Sequence, residues 1–153
     1  MQKLEKLLFQ LESKIPFHEK TNSSVSNATV GWQIEHSLKT IYQISLAVKN
    51  SNPQEYQWKF NKSKLFISVL GFIPRGKAKA PKVVLPDENI SEESLLLSLQ
   101  KVKSVLQEWN SFDKNAYFPH PFFGNLNKKS TEWFLNLHTN HHLKIVNDIC
   151  KND

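Results

Sequence analysis

Apolar residues recur in this chain at intervals of three and four, in four separate stretches, the spacing that lines one face of an α-helix. The first predicts a helix from about Gln2 to Ser13, where Leu4, Leu7, Leu8 and Leu11, with Ile15 beyond, share a face before Pro16 ends the pattern. A polar Ser/Asn stretch then offers capping groups, and a second helix is predicted from about Thr29 to Lys49. Its aliphatic stripe is Val30, Ile34, Leu38, Ile41 and Val48, and Asn50-Ser51-Asn52-Pro53 stops it. The third begins near Asn89-Ile90-Ser91, with Glu92 and Glu93 in the first turn, where the helix dipole favours them. Leu95, Leu99, Val102, Leu106 and Trp109 give it a heptad-like seam. The fourth follows Leu126-Asn127 and runs almost to the C-terminus, with Thr131, Phe134, Leu135, Ile145 and Ile149 on its apolar face.

Between the second and third helices lie about 35 residues without sustained periodicity. Trp58 to Leu70 has room for a short helix or strand, and Gly71 to Pro81 reads as irregular. Four long amphipathic helices with such a connection predict an all-α fold. The expected architecture is a single-domain four-helix bundle over residues 1–153, with a long irregular crossover between helices 2 and 3.

Composition sharpens this in three places. Gly is rare, at 4 residues, which argues against a β-rich alternative. One cysteine, Cys150, rules out an internal disulfide and fits a reducing compartment. No apolar run approaches the length of a membrane span, and the N-terminal segment alternates charge with Leu unlike a signal peptide. The expected location is cytoplasmic, with no membrane partner.

The net charge of +6 is unevenly spread. Seven of the 20 basic residues and none of the 14 acidic ones lie between Lys59 and Lys82; the 13 basic and 14 acidic residues elsewhere nearly cancel. Arg75 is the only arginine. Nucleic-acid surfaces use several arginines for base edges and bidentate phosphate contacts, so nucleic acid is not the expected partner. The basic segment is either a solvated connector or an anion-binding loop in which Arg75 and Lys77 would take a carboxylate or phosphate.

The candidate chemistry lies in His138-Thr139-Asn140-His141-His142 on the fourth helix. On a helical wheel His138 and His142 are about 40° apart, and Phe134, Ile145 and Ile149 fall within about 40° of His138. Both imidazoles therefore point with the apolar stripe, while His141 sits about 60° to the other side. Two buried imidazoles one turn apart either hydrogen-bond to carbonyls and carboxylates or share a metal ion. A third ligand would favour the metal. His18 and His120 lie in predicted loops. His36 falls about 140–200° from Ile34, Leu38 and Ile41, on a face with Thr29, Trp32, Thr40, Gln43 and Ala47. That face is either solvated or the wall of a polar cavity, and the wheel does not choose.

The pattern Trp32…His36 in the second helix, with His138-Thr139-Asn140-His141-His142 in the last, resembles the DinB-like superfamily of metal-binding four-helix bundles. The family's Arg-Gly-Gln after the last histidine pair is replaced here by Leu143-Lys144-Ile145. His120-Pro121-Phe122-Phe123-Gly124-Asn125-Leu126, then Trp133 and the histidine run, is similar to an uncharacterised branch of that superfamily, as is the Pro74–Pro81 stretch.

The resemblance implies a divalent metal, zinc, nickel or similar, on His36, His138 and His142. It implies a metal-dependent enzyme of transferase or hydrolase type, acting on a small anionic or thiol substrate. The alternative is a non-catalytic metal-binding or structural bundle, as a monomer or a homodimer. No catalytic residue stands out: Glu35, Tyr42, His141 and His120 are weighed as acid–base groups and none is assigned, and Cys150, about two to three turns beyond His142 and rotated away, is not expected as ligand or nucleophile.

Overall fold

Each long helix but the first begins on a side chain that caps it, and these caps set the architecture. In the computed structural model, which describes residues 1–76, 81–86 and 89–151, α1 spans Gln2–Glu12 and α2 Val30–Asn50, followed by α3 (Lys62–Leu70), α4 (Glu92–Gln107) and α5 (Lys128–Cys150). Thr29 accepts the Trp32 N–H at the start of α2, Ser91 and Ser94 form a capping box on α4, and Asn127 accepts the Ser130 N–H at the start of α5. Such caps satisfy backbone donors that have no partner within the helix.

α2 is the central element. It packs against both α4 and α5, while α1 packs against α5 and α4. The four share one core, in which Leu4, Leu11, Ile34, Leu38, Ile41, Leu95 and Leu135 are among the buried side chains. Close approach fixes the entry to α2. The Gly31 N–H donates to the His18 carbonyl at 2.8 Å, and a Cβ at Gly31 would meet that oxygen at 3.0 Å and Ile90 Cγ2 at 3.2 Å.

The fold departs from the expected all-α bundle in two places. Strands β1 (Tyr117–His120) and β2 (Gly124–Asn127) pair antiparallel, with Phe118 opposite Leu126 and His120 opposite Gly124. The stretch Tyr-Phe-Pro-His hides a strand because its proline cannot donate to a ladder, and a two-stranded hairpin tolerates that where a sheet centre does not. The turn Pro121–Phe123 returns through Gly124 at φ 68°, the left-handed position that ends many three-residue hairpin loops. Leu126 and Phe123 carry the hairpin into the core. The crossover holds more regular structure than expected: α3 falls within Trp58–Leu70, where the sequence left room for a short helix or strand, and 3-10 turns lie at Pro53–Glu55 and Lys82–Val84. No helix among the described residues is long and apolar enough to cross a membrane.

Candidate metal centre

The second face of α2 is buried, which decides the question its polarity leaves open. Gln33, His36, Ser37 and Thr40 are buried along with the aliphatic stripe, and His36 is 4% exposed. A central helix has neighbours on two sides, and this face meets α5. There the three expected ligands come together: ring centroids are 4.5 Å apart for His138–His142, 4.7 Å for His36–His142 and 5.1 Å for His36–His138. One nitrogen from each ring lies within 4.8 Å of the other two. Trp32, one turn before His36, stacks on its ring at 5.1 Å.

Hydrogen bonds fix how two of these rings are turned. His36 Nδ1 donates to the Val84 carbonyl at 2.9 Å, and His142 Nδ1 donates to Gln33 Oε1 at 2.6 Å. With the proton on Nδ1, the Nε2 lone pair of each ring is left for another partner. This is how metal-ligating histidines are usually oriented, the far nitrogen held by a carbonyl or carboxylate. His138 Nδ1 is buried without a hydrogen-bond partner among the described residues, a further donor site inside the cluster.

Burial lowers the pKa of all three imidazoles below the ordinary 6.5, well below for His138 and His142, where the neighbouring histidines add to the effect. The Val84 carbonyl opposes the shift at His36. The rings are therefore neutral at neutral pH, the state a metal requires. Three neutral imidazoles and no fourth His, Cys, Asp or Glu in the cluster, among the described residues, form a donor set that suits zinc and related divalent ions. In a zinc site with Zn–N bonds of about 2.0–2.1 Å, ligand nitrogens lie about 3.3 Å apart, so binding would draw these rings closer.

His120 lies in β1 rather than in a loop. Its Nδ1 accepts from the Phe122 and Phe123 amides at 3.1 and 3.2 Å. A neutral ring that accepts at Nδ1 carries its proton on Nε2, and that nitrogen has no hydrogen-bond partner among the described residues. The ring stacks on Phe123 at 4.4 Å and meets the edge of Phe134 at 4.5 Å; Phe134 in turn touches His138. Burial lowers the His120 pKa to about 4.

The remaining expected groups lie elsewhere. His141 donates to the Ile73 carbonyl, and with Asn140, Lys144 and Arg75 it lines a cleft of about 230 Å³ on the outer side of α5. Arg75 Nη2 is 2.6 Å from Asp148 Oδ2, a contact that holds the Asp148 carboxyl below its usual range. Lys77 lies outside the described residues. Glu35 accepts from Ser98 of α4 at 3.2 Å, and Tyr42 lines the same α2–α4 cleft. Neither faces the cluster, nor do His18 and Cys150 belong to it.

Two groups escaped sequence reasoning. Gln33 precedes His36 by three residues, so it shares the polar face of α2, a signal that was present. The Val84 carbonyl is backbone and leaves no trace in residue type.

No curated protein and no solved structure matches this chain. A family profile does, over residues 70–149, and its description is a protein of unknown function, DUF1569. The match takes in α4, the hairpin and α5, hence His120, His138 and His142, and stops short of α2. It covers just over half of the sequence, and the chain belongs to the DUF1569 family.

Proposed function

We propose that His36, His138 and His142 bind one divalent metal ion, zinc or nickel in kind, and that the protein is a metal-dependent enzyme of the DinB-like type it resembles. The observation that carries this is the pair of Nδ1–H donations, to Val84 and Gln33, which leaves unprotonated Nε2 atoms in a buried cluster. His36, His138 and His142 would hold the ion, and the chemistry it would supply there is that of a Lewis acid, toward water, a substrate oxygen or a thiol.

The protein's own groups would do the rest. His120 holds a proton on Nε2 beside the cluster, so it serves as a hydrogen-bond donor to a substrate and not as a fourth ligand. Arg75 and Lys144 give the outer cleft a positive edge suited to a carboxylate or phosphate, with Arg75 exchanging Asp148 for the substrate. The reaction class is transfer or hydrolysis, with a low-molecular-weight thiol as the favoured substrate.

Elemental analysis of the purified wild type beside His138→Ala tests the site: about one ion per chain is expected, and next to none in the variant. Equal metal content in both would refute the assignment. Cobalt(II) substitution separates enzyme from structural bundle. Visible bands that shift on adding a small thiol support an open position; unresponsive bands indicate a closed, non-catalytic site. Unchanged affinity for an anionic thiol in Arg75→Ala would remove the cleft from this reading.

A further inference from the structure

α3 is built the wrong way round for a helix on a monomer. Amphipathic helices bury their apolar stripe, yet no residue of α3 is buried. Leu65 is 52% exposed, Phe66 62% and Val69 78%. On the wheel these three lie within about 100° of one another, opposite Lys64 and Ile67. The inward side is the more polar one: Lys64 Nζ donates to Ser130 Oγ at 2.9 Å, and Ile67 packs partly on the core.

Further exposed aromatics flank the helix. Trp58 and Phe60 are 69% and 62% exposed in the segment leading into α3. Phe122, 60% exposed at the hairpin turn, adjoins them because Asn61 Nδ2 donates to its carbonyl at 3.0 Å. The face is held in place rather than loose: Asn61 also caps α3 by accepting the Lys64 N–H.

We propose that this face is an isologous interface, α3 and the hairpin turn packing against the same elements of a second copy of the chain. Area supports that occupant. An aromatic side chain presents about 150–250 Å², so four of them at this exposure, with Leu65 and Val69, offer roughly 600–700 Å². A stable dimer needs about 800 Å² per partner, whereas the largest apolar patch on an ordinary monomer is about 300–600 Å². Composition agrees, since aromatic residues concentrate at interface centres. Lys59 and Lys62 belong to this segment and no acidic residue lies between Lys59 and Lys82, so both copies would bring positive charge to a two-fold interface. That gives the association a signature: added salt screens the repulsion and tightens the dimer, whereas an anionic partner or lipid surface would be released by salt.

Sedimentation equilibrium of the full chain across micromolar concentrations, at low and high salt, tests this beside Phe66→Asp and a control, Phe9→Asp. Phe9 is 72% exposed on α1, away from α3. The wild type is expected at twice the chain mass of 17.8 kDa, more tightly associated at high salt. Phe66→Asp is expected to weaken association by about a hundredfold or more, since each substitution occurs twice across the interface, and Phe9→Asp to leave it unchanged. Cooperative thermal unfolding and a wild-type far-ultraviolet circular dichroism spectrum of the Phe66→Asp monomer would show that the fold survives. A monomeric wild type, or a dimer broken by Phe9→Asp and not by Phe66→Asp, overturns the proposal. So does a wild type that floats with anionic phosphatidylglycerol vesicles and remains monomeric without them.

Discussion

α2 and α3 are neighbours in sequence and opposites in exposure. α2 buries Gln33, His36, Ser37 and Thr40, residues that a helix ordinarily turns to water. α3 leaves Leu65, Phe66 and Val69 in water, residues that a helix ordinarily hides. Each inversion marks a face whose partner is something other than the apolar core of one chain. On α2 the polar face meets α5 and its histidines; on α3 the apolar face is left exposed among the described residues. A polar group is costly to bury unless it is hydrogen-bonded, and the bonds from His36 to Val84 and from His142 to Gln33 meet that cost.

Substitution on each helix breaks the comparison open. Ile34→Ala, on the fully buried stripe of α2, is expected to lower unfolding free energy by about 2–5 kcal/mol, measured by chemical denaturation. Gln33→Leu comes next. It removes the acceptor that turns the His142 ring, so metal affinity measured by chelator competition should fall about 10–100-fold. The fold itself should survive, because Leu fills much the same volume. An affinity equal to wild type would show that Gln33 does not orient the ligand.

pH gives a third, graded effect. The cluster imidazoles and His120 titrate below 6.5 in the folded chain, whereas in the unfolded chain they regain the ordinary value. As the pH falls the unfolded state takes up protons first, so stability present above pH 6.5 is lost below it. For His120 that loss runs down to about pH 4. Thermal unfolding of the metal-free protein should therefore shift to lower temperature from neutral pH to about pH 5, and a flat profile would contradict the buried, neutral state of these rings. The smallest effect is expected at α3. Phe66→Ser should change the unfolding free energy of the monomer by no more than about 0.5 kcal/mol, read under conditions where the chain does not associate.

The long helices were legible because burial on one side leaves a three-four spacing, as in Leu4, Leu7, Leu8 and Leu11 of α1. His138 and His142 were legible for the same reason, since they ride on the apolar stripe of α5. His36 was not. A wheel finds one stripe, and α2 is covered on two sides, so its second face read equally as solvated or as a cavity wall, and only the resemblance put His36 beside the others. The hairpin was hidden by Pro119 and by the polar run Gly124–Asn127, which stabilise a strand only through the pairing they make. α3 could not be told from a strand over Phe66–Leu70, because its apolar side is exposed among the described residues and no buried stripe sets a period.

X-ray absorption at the edge of the bound metal tests the central claim most directly. On protein loaded with one zinc per chain, three imidazole nitrogens are expected in the coordination sphere. A fourth, exchangeable oxygen is expected with them, replaced by sulfur when a small thiol is added. A sphere of oxygens alone, or one that keeps its imidazoles in His36→Ala, would contradict it.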